Sequence, residues 1–148
     1  MDTALNALHV LTAVFIIGPM AILPMTAIQA LRAGHGTHAT ALARSTATTS
    51  WASLLVVVLG FAVLGMSDPK YDLSVTTPWV LISLVLYALA LALSLLAVVP
   101  TLRQAGEHLN APTGSPAPAG NHYRRVAASS GIVSVLLVAV VVLMVWKP

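Results

Sequence analysis

The sequence contains no cysteine and very little charge. Without cysteine, the chain has no disulfides, thiolate metal sites or cysteine nucleophiles. Only 7% of its 148 residues are Asp, Glu, Lys or Arg, against about 25% in soluble globular proteins. Apolar residues make up 58% of the chain and the mean hydropathy is +0.92. These values predict an integral membrane protein, and a net charge of only +3 argues against nucleic-acid binding.

The few charges divide the chain into four apolar segments, which predict membrane spans over residues 3–31, 45–66, 78–99 and 126–146. Each is long enough to cross a bilayer, which takes about 20 residues. We therefore expect an all-α, four-helix integral membrane bundle, a single domain over residues 1–148. The first apolar run is longer than that of a signal peptide, so we expect it to be retained. A stretch rich in Pro, Gly and Ser predicts a flexible cytoplasmic linker over residues 104–123.

The basic residues predict the orientation of the chain. With four spans, all five arginines fall on loops of one side, whereas Lys70 and Lys147 fall on the other side with Asp2, Asp68 and Asp72. Cytoplasmic loops of membrane proteins carry the excess of basic residues. Both termini are therefore expected on the outer side of a bacterial inner membrane. The arginines are Arg32, Arg44, Arg103, Arg124 and Arg125.

The first segment carries His9, the histidine that falls inside an apolar segment, together with Pro19 and Pro24. Each proline removes a helical hydrogen bond, which predicts a kink or local unwinding between about residues 16 and 25. At about 1.5 Å per residue, His9 lies about 9 Å from the outer end of its helix. Ser83 and Tyr87 lie at similar depth in the third segment. We therefore predict a hydrogen bond from His9 to Ser83 or Tyr87, with Asn6 one turn away in the same layer.

Small and weakly polar residues recur at helical spacings along the second, third and fourth segments. Such residues let neighbouring helices approach closely in a membrane. The predicted helix-packing stripe comprises Thr49, Ser53, Gly60, Ala90, Ser94, Gly131 and Ser134.

His9 has two functional interpretations beside a packing role, which is the favoured one. It is a candidate ligand for haem iron, although the apolar segments offer no second histidine for a bis-histidine site. It is also a candidate copper ligand, with the thioethers of Met66 and Met144 completing the site, because Cu(I) prefers soft sulfur. His35 and His38 fall in a glycine-containing turn and are interpreted as solvated. The favoured expectation is no cofactor, with haem or copper as the alternatives.

The sequence contains few of the residues that enzymes commonly use for catalysis inside a membrane. The predicted spans contain no acid, lysine or arginine, which excludes paired carboxylates or a charged substrate path inside the membrane. The serines have no acidic orienting partner, and no inverted repeat of broken helices is evident. We expect a protein that is not an enzyme, and we rank transporter or channel last.

Two stretches carry a resemblance to a known family. Residues 7–18, with their opening His9 and closing Gly18, and residues 143–148, with the pattern Met-x-x-Lys-Pro, resemble small four-helix bacterial membrane proteins related to the copper-resistance protein D family. The resemblance implies the four-helix fold and maps the opening histidine onto His9. Relatives often have Trp where this chain has Ile17. Most have no known function, so the resemblance implies a fold more than an activity.

The functional expectation is a non-catalytic accessory or assembly subunit of a larger bacterial membrane complex, with a respiratory-chain assembly as the leading host. Its partners are then the lipid bilayer and other integral membrane subunits. The alternative is a membrane protein that binds or handles haem or copper at His9.

Overall fold

The computed structural model describes residues 2–66, 75–111 and 121–146, and these segments are almost entirely helical. The helices are α1 (Asp2–Arg32), α2 (Gly36–Gly65), α3 (Pro78–Leu93), α4 (Val99–Asn110) and α5 (Asn121–Trp146). A π-helical segment, Ser94–Val98, joins α3 to α4 without a break. Four stretches of the described chain are long and apolar enough to span a membrane: Thr3–Arg32, Gly36–Gly65, Pro78–Asn110 and Tyr123–Trp146. The prediction of an all-α, four-helix membrane fold is confirmed.

A tight glycine turn joins α1 to α2. Gly34 has a φ of +77°, a backbone conformation that favours glycine. The N–H of His35 bonds to the carbonyl of Ala30 at 2.9 Å, and that of Gly34 bonds to Leu31 at 3.0 Å. This hydrogen-bond pattern is the common glycine-ended termination of an α-helix. Because α2 then begins at Gly36, the first two helices form an antiparallel hairpin that extends beyond the predicted span at residue 45.

The third span is longer than predicted, because the helix does not stop at Pro100. The N–H of Val99 bonds to the carbonyl of Ser94, five residues back, which is the hydrogen bond of a π-helix. Pro100 then lies in the first turn of α4, directly after this wider turn. Residues 104–110 of the predicted linker are therefore helical, as are residues 121–123. Residues 112–120 lie outside the described part of the chain.

The prolines of the first span do not unwind it. α1 is α-helical from Asp2 to Arg32, with Pro19 and Pro24 both inside the helix. Pro24 and Met20 are fully buried. Of the predicted kink or local unwinding, the unwinding is therefore wrong, since packing around the proline region holds the helix, while the kink stays a prediction.

The bundle consists of two helix pairs. α1 packs along α2, and α3 packs along α5; contacts of α1 with α5 and of α2 with α4 join the pairs. The apolar core lies mostly between the middle of the bundle and one end, which we call the arginine end. There α1 and α4 finish, α2 and α5 begin, and the five arginines lie. Fully buried large side chains of this core are Met20, Leu31, Val98, Leu102, Val126, Val133 and Leu137.

Candidate functional site around His9

His9 packs against a glycine of the neighbouring helix. A Cβ atom built on Gly60 of α2 would lie only 3.1 Å from Cε1 of the His9 ring, with Nδ1 and Nε2 at 3.7 and 3.8 Å. The imidazole thus fills the space that a side chain at position 60 would occupy. This close approach depends on glycine, as small residues commonly allow in membrane helix packing.

One nitrogen of this ring has no hydrogen-bond partner. Nδ1 of His9 is buried, and it is the buried side-chain nitrogen or oxygen left unbonded among the described residues. The backbone of Val56, one turn before Gly60, faces the ring. Buried polar atoms are nearly always paired, so an unbonded imidazole nitrogen requires an explanation. Nδ1 of His9 is therefore free to bind a ligand or to accept a hydrogen bond from a further donor.

The predicted hydrogen-bonded layer does not form. Ser83 donates to the carbonyl of Trp79 at 2.7 Å, within its own helix. The hydroxyl of Tyr87 pairs with Oγ of Ser53 at 2.6 Å, and Asn6 is exposed. The prediction of a bond from His9 to Ser83 or Tyr87 was wrong because it matched depths alone. α1 packs mainly against α2 and α5, not against α3.

A buried hydroxyl cluster joins α2 to the third span instead. Ser50 and Ser94 pair at 2.8 Å, and Ser53 and Tyr87 pair at 2.6 Å. Ser53 is also 2.6 Å from the carbonyl of Ser50. All four side chains are buried. The hydroxyls satisfy one another without an acid or base, so the cluster fixes two helices rather than activating a nucleophile.

The sequence named Ser53, Tyr87 and Ser94 without pairing them, and it missed Ser50. The available signal was the spacing of Ser50 and Ser53, three residues apart, opposite Tyr87 and Ser94, seven residues apart. Both spacings keep residues on one helix face.

The other members of the predicted packing stripe have different environments. Ala90 is fully buried. Ser134 donates to the carbonyl of Ala21 at 3.1 Å and so joins α5 to α1. Thr49 bonds to carbonyls of its own helix. Gly131 lies on an open surface, since a Cβ atom there would meet nothing within 4 Å.

The candidate metal ligands lie on different elements of the described chain. Met66 follows the end of α2 and Met144 lies near the end of α5, both exposed. His35 and His38 are exposed at the arginine end. In residues 2–66, 75–111 and 121–146, no group of three or more His, Asp or Glu side chains is placed to hold a metal ion.

A glycine contact at the arginine end, missed from the sequence, positions α4. A Cβ atom on Gly36 would lie 2.6 Å from the carbonyl oxygen of Gly106, and one on Gly106 would lie 2.9 Å from Oγ1 of Thr40. Thr37 also donates to Oδ1 of Asn110 at 3.2 Å. This contact was not predicted, because residues 104–110 were interpreted as linker.

Four long apolar helices, a core of apolar and hydroxyl side chains, and a histidine packed between two spans define a multi-pass, helical integral membrane protein. Residues 3–148 match the family described as "Predicted integral membrane protein (DUF2269)", and the chain belongs to this family. No curated protein and no solved structure matches the chain. The family assignment gives a small membrane protein and leaves its activity to be inferred from the site.

Proposed function

We propose that the protein is a non-catalytic accessory or assembly subunit of a larger complex in the bacterial inner membrane, with a respiratory-chain assembly as the leading host. The observation that carries this proposal is how little of each span the chain buries within itself. Between 17% and 28% of the apolar window of each span is buried. Most of the helical surface is therefore available to lipid and to helices of other subunits.

One face of α1 suits a neighbouring membrane helix. Leu11, Val14, Phe15 and Ile22 are all exposed, and Phe15 is the most exposed of them at 75%. Gly18 lies among them, and a Cβ atom at that position would meet nothing within 4 Å. These spacings of three and four residues define one face of a helix. A glycine in the middle of an apolar face lets another helix approach closely.

The buried polar groups support a non-catalytic role. The hydroxyls of Ser50, Ser53, Tyr87 and Ser94 satisfy one another, and residues 45–66 and 78–99 contain no acid or base to activate them. General acid–base catalysis needs a positioned group of suitable pKa beside the reacting atom. The cluster offers none.

The α1 face is tested by photocrosslinking in native membranes. A photoreactive amino acid at Phe15 should give one adduct of defined mass, and the adducted protein should co-elute with the chain at fixed stoichiometry in mild detergent. The same amino acid at Leu96, which is 79% exposed on the third span, is the matched control. Gly18→Phe should abolish the Phe15 adduct by blocking close approach. A chain that elutes alone, with equal diffuse labelling at both positions, contradicts the proposal.

The second candidate function is the handling of haem or copper at His9, which the unbonded Nδ1 atom favours. Neutral imidazole is a common ligand of both metals. In the described residues no group of three or more His, Asp or Glu side chains is placed to hold a metal ion, so a metal at His9 would need the thioethers of Met66 and Met144 or a ligand from another subunit. Either metal would supply electron-transfer chemistry, while the chain's own part is to hold the ring against Gly60 and exclude water.

An absorbance scan and elemental analysis of the same purified sample distinguish the two candidates. A haem or copper protein shows a Soret band, or about one copper per chain, and His9→Ala abolishes that signal. A folded, colourless and metal-free sample overturns this second candidate and leaves the accessory role in place.

A further inference from the structure

Two adjacent arginines at the start of α5 have no acidic partner within residues 2–66, 75–111 and 121–146. Arg124 and Arg125 are both exposed at the arginine end. The ion pair formed within the described helices joins Arg103 to Glu107 at 3.5 Å. The remaining acids of the chain are Asp2, Asp68 and Asp72, which the sequence places toward the opposite end. The charge of Arg124 and Arg125 is therefore available to an external anion.

A shallow, open apolar depression, which we call the groove, lies beside this pair on the exposed face of α5, and all of its lining residues belong to that helix. Its volume is about 470 Å³. Gly131 forms its centre, where a Cβ atom would meet nothing within 4 Å. Val135 beside it is 69% exposed. The lining residues are Ala127, Ala128, Gly131, Ile132, Val135 and Leu136.

The arginines and the groove share one helix face. Arg124 precedes Ala128, Gly131 and Val135 by four, seven and eleven residues. Arg125 precedes Ala128, Ile132 and Leu136 by three, seven and eleven. Such offsets keep side chains on the same side of a helix.

The depth of the groove matches one leaflet of a bilayer. Eleven residues of helix rise about 16 Å, and half of a hydrocarbon core is about 15 Å. Beyond Leu136 the exposed residues of α5 are mostly branched valines, including Val138, Val142 and Val145, and none of them lines the groove. The groove thus begins at headgroup level and ends near the bilayer centre.

We propose that this site binds one anionic phospholipid, whose phosphate contacts Arg124 and Arg125 and whose acyl chain lies along the groove. Guanidinium groups bind phosphate through paired, charge-assisted hydrogen bonds. An apolar partner helix could also cover the groove, but it would have no anionic group to pair with the two arginines at the end of the groove. Charge complementarity and the one-leaflet length together select lipid as the occupant.

Native mass spectrometry with defined lipids tests the headgroup contact. The purified chain is exchanged into detergent containing equal amounts of phosphatidylglycerol and phosphatidylcholine with identical acyl chains. The wild type should retain phosphatidylglycerol preferentially. Each arginine beside an anionic headgroup contributes about fivefold, so R124Q/R125Q should lower this preference about 30-fold. The control R32Q/R44Q removes the same charge at the same end and should change it by less than about threefold.

The groove is tested separately with the arginines intact. Gly131→Phe should lower retention of long-chain phosphatidylglycerol about tenfold while leaving a short-chain form unaffected, and Val135→Trp should do the same. Circular dichroism and gel filtration establish that each variant is folded. Equal loss in both arginine pairs would overturn the proposal in favour of diffuse attraction. Unchanged lipid retention in both groove variants, or a dimer that Gly131→Phe dissociates, would overturn it as well.

Discussion

The imidazole of His9 occupies the space beside Gly60 that a side chain at position 60 would fill. The ring packs against Gly60 and faces the backbone of Val56, while Nδ1 has no hydrogen-bond partner. An unpaired buried polar atom costs about 1–3 kcal/mol. A ligand that bonded Nδ1 would recover this cost, which is why His9 remains the second candidate site.

Gly60→Val should destabilise the bundle by about 1–3 kcal/mol, the usual cost of overpacking a close contact. The new Cβ atom would stand 3.1 Å from the ring, and the branched methyl groups would come nearer. His9→Ala should remove most of this cost in the double variant. Gly18→Val is the control, since position 18 has open space. Denaturation in mild detergent, followed by circular dichroism, gives the four free energies of the cycle. Equal losses for Gly60→Val and Gly18→Val would show that the contact is not limiting.

Among the elements, the π-helical segment Ser94–Val98 has two effects on the third span. It carries the helix past Pro100, which cannot donate a backbone hydrogen bond. It also keeps Ser94 toward Ser50 while α4 turns Leu102 and Gly106 inward. A π turn closes through five residues instead of four and so absorbs one extra residue.

Deletion of Leu96, inside the π-helical segment, should therefore be tolerated. The turn can revert to α-helix while Tyr87 and Gly106 keep their faces. Deletion of Leu89 is the matched control, because Leu89 is also exposed but lies in regular α-helix. Its loss rotates the rest of the span by about 100° per residue and separates Tyr87 from Ser94. Gel filtration and circular dichroism should show a folded ΔLeu96 chain and a misfolded ΔLeu89 chain. The opposite ranking would exclude a role for the π turn in absorbing register.

The sequence predicted the four membrane helices, because long uncharged apolar runs have few other stable forms in a membrane. It failed where contacts depend on which helices are neighbours. The prediction placed His9 beside Tyr87 because the two residues lie at similar depth in the membrane. In the structure α1 packs along α2, so His9 lies beside Gly60. The extension of the third helix past Pro100 also escaped prediction, since proline normally stops a helix and the π turn is not a local sequence pattern. Gly131 was predicted to pack inside the bundle, but it faces outward.

At the scale of the whole molecule, the arginines and the apolar core lie toward the same end of the bundle. The opposite half is more open, with Leu8, Leu11 and Phe61 exposed there. The positive-inside rule places the arginine end in the cytoplasm and both termini outside. This orientation is a prediction from charge, and the lack of native cysteine makes it simple to measure.

Single cysteines at Ala33 and Val75 should differ in labelling by a membrane-impermeant maleimide applied to intact cells. Both positions are exposed; Ala33 lies between α1 and α2 at the arginine end, and Val75 lies just before α3. Val75→Cys should label from outside, while Ala33→Cys should label only after the membrane is permeabilised. The cysteine-free parent chain gives the background. Labelling of Ala33→Cys alone in intact cells would reverse the proposed orientation.

The hydroxyl cluster and the glycine contact also set an order of events during synthesis. The hydrogen-bonded partners are far apart in the sequence. Tyr87 is synthesised 34 residues after Ser53, Ser94 comes 44 residues after Ser50, and Asn110 comes 73 residues after Thr37. Membrane helices insert first and associate afterwards. The α1–α2 hairpin thus enters the bilayer with the polar face of α2 bare, until the third span arrives to cover it. A pause in translation between these stages would leave an aggregation-prone intermediate. The rate of translation and the retention of the hairpin by the insertion machinery therefore affect the yield of assembled protein.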